Sequence, residues 1–297
     1  MLIGYLAARL RAFDEAATRG LSLFAFNIAI PVMLVRTLAR ADLPAQPEWD
    51  LVVAYFGGAL LVFATAALTA RQLFRRRGAD PAIFGISAAF SNIVILGIPL
   101  VLEAFGQSAA VPLSLIVAVH SAFLFTVTTI VAEAGAGAGT PLRELPRNVA
   151  KGLVGNPILW GIGAGLLLNL ARLELPSVLD RLASILGGAA LPAALFALGA
   201  NLSRFRLAGS LREALLLSGL KLLVQPALVW LLAAWLFALQ PISLAVAVTI
   251  AALPSGINAY LFAARYDASV PEASSTILVS TLLSVVTLSL LLAGLRG

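Results

Sequence analysis

Eight stretches of the chain contain no Asp, Glu, Lys or Arg: residues 20–35, 51–70, 81–102, 104–132, 152–171, 182–203, 222–264 and 273–295. A helix needs about 20 mostly apolar residues to cross a bilayer. Within lipid every backbone N–H and C=O must be satisfied, so such stretches are confined to helices. Residues 222–264 run for 43 residues and are interrupted at Gln240-Pro241. They read as two spans, the first beginning near Ser210 and containing Lys221. The short stretch 20–35 ends at Arg36, whose side chain can snorkel to the interface. Nine full spans result, and residues 1–10 read as the tail of another. Numbered in order, these are spans 1 to 10 of an all-α polytopic membrane protein.

Composition closes off the alternatives. Charged residues make up 11% of the chain, against about 25% in a soluble domain. A soluble protein of 297 residues cannot hide a 61% hydrophobic fraction from water. A soluble enzyme is thereby excluded. The net charge of +6 is carried by short basic runs between apolar stretches, so no nucleic-acid partner is expected. The absence of cysteine excludes disulfides, iron–sulfur clusters and thiolate metal sites. One His and two Met leave little for another transition metal, so neither metal nor cofactor is expected. No phosphate-binding loop for ATP occurs. The apolar start Met1–Ala8 is short and is followed, not preceded, by Arg9 and Arg11, so no cleavable signal peptide is read.

The basic residues orient the spans. With the loop after span 1 in the cytoplasm, the inner side holds Arg9, Arg11, Arg19, Arg71, Arg75, Arg76, Arg77, Arg143, Arg147, Lys151, Arg204, Arg206, Arg212 and Arg265. The outer side holds Arg36, Arg40, Arg172, Arg181 and Arg296. This bias is the cytoplasmic signature of loop Lys and Arg. The run Arg71–Arg77 reads as a topology determinant touching anionic lipid. Asp80-Pro81 reads as a helix start, with Asp80 as the cap.

The longest inner loop, 134–151, opens with Gly-Ala-Gly-Ala-Gly at 135–139 and reads as a flexible linker. It separates residues 1–133 from 152–297, each with five spans. Five is odd, so the second half must insert upside down relative to the first, the inverted repeat of secondary transporters. Matching motifs support this. Asn27-Ile-Ala-Ile-Pro31 of span 2 parallels Ala189-Ala-Leu-Pro192 of span 7, and Ser91–Pro99 of span 4 parallels Ala252–Asn258 of span 9. Pro192 follows the start of span 6 by 40 residues, but only 30 precede Pro31. The expectation is therefore that span 1 is truncated, its true start lying upstream, or is vestigial.

Spans 4 and 9 each combine Asn, Gly and Pro near their middles: Asn92, Gly97 and Pro99; Pro254, Gly256 and Asn258. Proline frees a carbonyl, and freed groups survive in lipid only inside protein or beside a wet cavity. Matched interruptions in the two halves point to a substrate site. Half-helix N-termini there favour a carboxylate, and the two Asn side chains add amide donors. Lys221, within span 8, reads as a coupling or structural residue, or snorkels to the cytoplasmic face. His120, in span 5, reads as a packing residue, with a proton relay as the alternative. No acidic residue lies at the centre of a span.

These residues resemble the auxin efflux carrier family, which includes plant PIN-type auxin carriers and bacterial malate and malonate permeases. The resemblance rests on Ala29-Ile-Pro-Val-Met-Leu34, Ser91-Asn-Ile-Val-Ile-Leu-Gly-Ile-Pro-Leu100, Phe196-Ala-Leu-Gly-Ala-Asn-Leu202, Lys221-Leu-Leu-Val-Gln-Pro226 and Leu253-Pro-Ser-Gly-Ile-Asn-Ala-Tyr260. It implies ten helices in two inverted five-helix repeats, with helices 4 and 9 broken and crossing where a carboxylate binds. Carried over at matching positions, Asn92 with Pro99 and Asn258 with Pro254 would form that site, and Val32 would line it. Spans 1, 2, 6 and 7 would form a scaffold, and spans 3–5 and 8–10 a transport bundle. The short central loop fits a bacterial inner-membrane carrier. The expected partners are a small organic anion such as malate or malonate, the lipid bilayer, and a second copy in a homodimer. An aromatic carboxylate as substrate and a non-transporting sensor are the alternatives.

Overall fold

Three prolines inside the apolar stretches shape the helices. Proline cannot donate to the carbonyl four residues back, and its ring collides with it. In the computed structural model, which describes residues 1–44, 46–136, 154–203, 207 and 209–296, the chain widens into a π-turn just before each. The π-turn Ala25–Ala29 precedes Pro31, Ile93–Gly97 precedes Pro99, and Leu220–Val224 precedes Pro226. In every case proline is the second residue of the next α-helix. The wider turn moves the colliding carbonyl aside, so the helix bends without ending.

In chain order the first-half helices are α1 (Leu2–Arg9), α2 (Glu15–Phe24), α3 (Ile30–Ala39), α4 (Trp49–Gln72), α5 (Asp80–Ala89), α6 (Ile98–Phe105) and α7 (Ala110–Ala136). The second half gives α8 (Pro157–Leu170), α9 (Ser177–Gly188), α10 (Ala190–Leu202), α11 (Leu211–Gly219), α12 (Gln225–Leu231), α13 (Pro241–Ala251), α14 (Asn258–Tyr266) and α15 (Val270–Arg296). No strand occurs among the described residues. Among the described residues, six helical segments are long and apolar enough to cross a membrane: Glu15–Ala39, Trp49–Gln72, Gln107–Gly135, Ser177–Leu202, Leu211–Leu236 and Val270–Leu295.

Several sequence expectations need correcting. Span 6, read as 152–171, holds the 14-residue helix α8, about 21 Å long at the α-helical rise. Its start is local: Asn156 accepts a hydrogen bond from the Ile158 N–H (3.0 Å) and Pro157 takes the first helical position. α7 continues to Ala136, through the first residues of the expected linker. The remainder of that linker, with Arg143, Arg147 and Lys151, lies outside the described residues, as do Arg204 and Arg206. Asp80 begins α5 but caps nothing; Ala79 holds the cap position, and the Asp80 carboxylate accepts from the Ser269 hydroxyl at 2.6 Å.

The chain forms two compact units that interleave in sequence. The first takes Met1–Pro47, Val94–Ser114 and Lys151–Phe205. Within it α3 packs along α8, and α1 along α10. Gly161 and Gly165, one helical turn apart, allow α8 to approach closely: a Cβ on either would come within 2.8 Å of Pro31 or Leu38. Asn169 donates to the carbonyls of Leu38 (2.9 Å) and Ala41 (2.7 Å), finishing the C-terminal end of α3. Asp180 pairs with Arg36 (2.8 Å) and Arg40 (2.7 Å), so Arg36 has an ionic partner.

The second unit takes Glu48–Ile93, Leu115–Ala150 and Arg206–Gly297. Its apolar core gathers Phe63, Ile83, Ile86, Phe90, Leu124 and Phe262. Arg76 bridges Glu213 and Glu272, 2.9 Å from each, tying the α4–α5 connection to α11 and α15. Spans 1, 2, 6 and 7 fall in the first unit and spans 3, 8, 9 and 10 in the second, while spans 4 and 5 are each divided between them. Ile95 packs with Ala193 and Ala194 of α10, which accounts for the downstream part of span 4 grouping with the first unit.

Candidate functional site

A broken helix leaves unpaired carbonyls at one side of the break and unpaired N–H groups at the other. In the second unit two such breaks satisfy each other. The first interrupts span 4 at Phe90–Asn92, between α5 and the π-turn at Ile93. The second interrupts span 9 between α13 and α14. The two segments run antiparallel with Ser91 opposite Ser255. The Asn92 N–H donates to the Pro254 carbonyl (2.9 Å), and the Gly256 N–H donates to the Phe90 carbonyl (3.0 Å). The Ser255 N–H donates to Ser280 Oγ of α15 at 3.1 Å.

Gly256 is required by this approach. A Cβ there would stand 2.8 Å from the Phe90 ring and 3.4 Å from the Asn92 Cα. Pro254 suits its position because it supplies only the carbonyl that the pairing uses.

The last carbonyls of both upstream half-helices are met from one face of span 8. Lys221 Nζ donates to the carbonyl of Ala251, the final residue of α13, at 2.5 Å. Gln225 Nε2 donates to the carbonyl of Ala89, the final residue of α5, at 3.1 Å. The two side chains are four residues apart, which puts them on one helix face. Both are fully buried, so Lys221 does not snorkel. Each side chain thus supplies an N–H donor to one otherwise unpaired terminal carbonyl. The sequence motifs alone do not single out Gln225; its four-residue offset from Lys221 in an apolar span is the signal that points to it.

On the opposite flank Tyr55 of α4 is wholly buried. Its hydroxyl donates to Ser91 Oγ (3.2 Å) and stands 3.4 Å from His120 Nδ1. The His120 ring lies among Tyr55, Phe56 and Phe90, its centroid 4.5 Å from that of Phe90. His120 thus packs its ring against the first break.

Asn92, Pro254, Gly256, Asn258, Lys221 and His120 therefore belong to the second unit. Asn92, Pro254 and Gly256 meet at the crossing itself. Asn92 is buried and Asn258, the first residue of α14, is half-buried. Neither side-chain amide makes a hydrogen bond among the described residues. The N-terminus of α14 carries no side-chain cap. Gly97, Pro99 and Val32 belong to the first unit. Gly97 and Pro99 are buried in continuous helix downstream of the break, where the π-turn has already absorbed the proline. Val32 is half-buried in α3. Two free amides beside an uncapped helix N-terminus suit a small anion with hydrogen-bond acceptors.

Comparison with known proteins agrees in kind. The model of a family described as membrane transport protein matches residues 1–292. The chain is 31% identical over 297 residues to a Rhizobium meliloti (strain 1021) protein named "Putative malonate transporter", covering 100% of this chain and 93% of the relative. It is 30% identical over 298 residues to an uncharacterised transporter of Methanothermobacter thermautotrophicus, covering 98% and 93% of the two chains. It is 25% identical to the uncharacterised transporter YfdV of Escherichia coli (strain K12), covering 97% and 91%.

Proposed function

Because the chain belongs to the membrane transport protein family, the auxin efflux carrier-like family whose motifs it carries, we propose that it is a secondary carrier of small organic anions, carboxylates of the malate or malonate kind. Membership makes it a multi-pass membrane transporter and not an enzyme. The site is the crossing of the two breaks, in a fold of ten helices arranged as two inverted repeats. The observation that carries it is the mutual pairing of Phe90–Asn92 with Pro254–Gly256, which leaves the Asn92 and Asn258 amides free.

A carboxylate accepts from the two amides, while the dipole of the α14 half-helix favours its charge. Lys221 braces the crossing from behind through Ala251 and does not itself hold substrate. The carrier works by alternating access around this site in a bacterial inner membrane. The name of the Rhizobium meliloti relative supports malonate as the first substrate to try.

The test is uptake of labelled malonate and malate into proteoliposomes. Asn92→Ala and Asn258→Ala, which leave the backbone pairing intact, should abolish uptake while expression is unchanged. Wild-type rates in both variants remove the crossing as the site.

A further inference from the structure

Where α4 and α7 end, the second unit carries a cleft of about 490 Å³ lined by arginine. Arg71, Arg75 and Arg77 contribute from the end of α4 and the segment after it; Gly78 and Gly135 contribute backbone. The glycine wall is tight. A Cβ on Gly135 would stand 2.0 Å from the Gly78 carbonyl oxygen, so side chains on this wall would displace the backbone that bounds the cleft. The volume falls within the range of about 300–1,000 Å³ typical of small-ligand pockets.

The acids nearby are already engaged. Glu213 and Glu272 hold Arg76. Asp80 accepts from Ser269, and Glu133 accepts from the Tyr266 hydroxyl at 3.0 Å. Among the described residues Arg71, Arg75 and Arg77 have no acidic partner, and all three are exposed. The connection that bears them is nonetheless fixed. The pairing of Arg76 anchors it, and the Arg76 N–H donates to the Ala70 carbonyl (2.9 Å) to close α4. That closure puts Arg75 at φ 53°, the left-handed conformation that helix ends normally give to glycine. An arginine there accepts strain for which glycine is the local remedy.

We propose that this cleft binds a phosphate-bearing anion, either the headgroup of an anionic phospholipid or free inorganic phosphate. Guanidinium groups donate in forked pairs that match phosphate oxygens. Both α4 and α7 belong to segments able to cross a bilayer, so the cleft lies where such segments meet the headgroup layer. A topology signal needs only loop charge on the cytoplasmic side. It does not need a concave arrangement of guanidinium groups.

The experiment uses the full chain, delipidated in neutral detergent. It is titrated at constant ionic strength with short-chain phosphatidylglycerol, with the matching phosphatidylcholine, and with inorganic phosphate, and the unfolding midpoint is followed. Arg75→Gly removes a charge while relieving the backbone, so loss of folding does not confound it. Arg71→Gln/Arg77→Gln is the second variant, and Arg19→Gln, from the other unit, is the control. Phosphatidylglycerol should raise the midpoint of wild type and control, with apparent affinity falling about fivefold for each cleft arginine removed. A matching response to inorganic phosphate shows that the free anion suffices; a response to phosphatidylglycerol alone identifies the lipid. No response in wild type, an equal response to phosphatidylcholine, or an undiminished response in both variants overturns the proposal.

Discussion

At the scale of the residue, the crossing depends on a few side chains whose tasks differ. Gly256 supplies space, since a Cβ would strike the Phe90 ring. Gly256→Ala should therefore separate the two breaks and strand the paired backbone groups, lowering thermal stability and uptake together. Unchanged values for both would show that the approach is looser than described. Lys221 supplies a donor to the Ala251 carbonyl. Lys221→Met keeps the apolar stem and removes the donor, and a buried acceptor left unpaired costs about 1–3 kcal/mol. Its unfolding midpoint should fall, with malonate affinity retained in the protein that remains folded; selective loss of affinity would make Lys221 a ligand. Asn92, Pro254 and Gly256 were legible in the sequence because polar and helix-breaking residues stand out in an apolar span. Gln225 was less so: its one signal is the four-residue offset from Lys221, and its task is set by its acceptor, the Ala89 carbonyl.

At the scale of the element, proline works through what precedes it. The π-turns before Pro31, Pro99 and Pro226 let each helix bend past a missing donor. The turn Leu220–Val224 contains Lys221 and ends one residue before Gln225, so it sets the direction of both toward the crossing. Pro226→Ala restores the N–H and lets that turn relax to ordinary α-helix. Uptake should fall more than stability does, because the fold gains a hydrogen bond while Lys221 and Gln225 lose register. A larger loss of stability than of uptake would assign Pro226 to packing alone. The prolines were visible in the sequence, and the interruption of span 4 was read over Asn92, Gly97 and Pro99 together. The chain bends at Pro99 and breaks at Phe90–Asn92, where the pairing with span 9 compensates the lost helical bonds. Similarly, hydropathy ran span 6 through the start that Asn156 and Pro157 impose on α8.

At the scale of the whole molecule, the sequence carried the class of protein almost completely. Apolar stretches of this length leave only transmembrane helices, and the order of the motifs matched the family that the comparison then showed. The interleaving of the two units was accessible through the family resemblance and not through the residue pattern. It rests on contacts between distant segments, such as α3 with α8 and α11 with α15, and hydropathy is blind to which helix faces which. The central claim is that the crossing binds a carboxylate through Asn92. The most direct test is the unfolding midpoint of the purified protein against a panel of organic anions, with Asn92→Ala beside the wild type, since a ligand of the folded state stabilises it by mass action. Malonate or a related carboxylate should raise the wild-type midpoint and leave that of Asn92→Ala where it was. An equal rise in both proteins would place anion binding elsewhere and contradict the account.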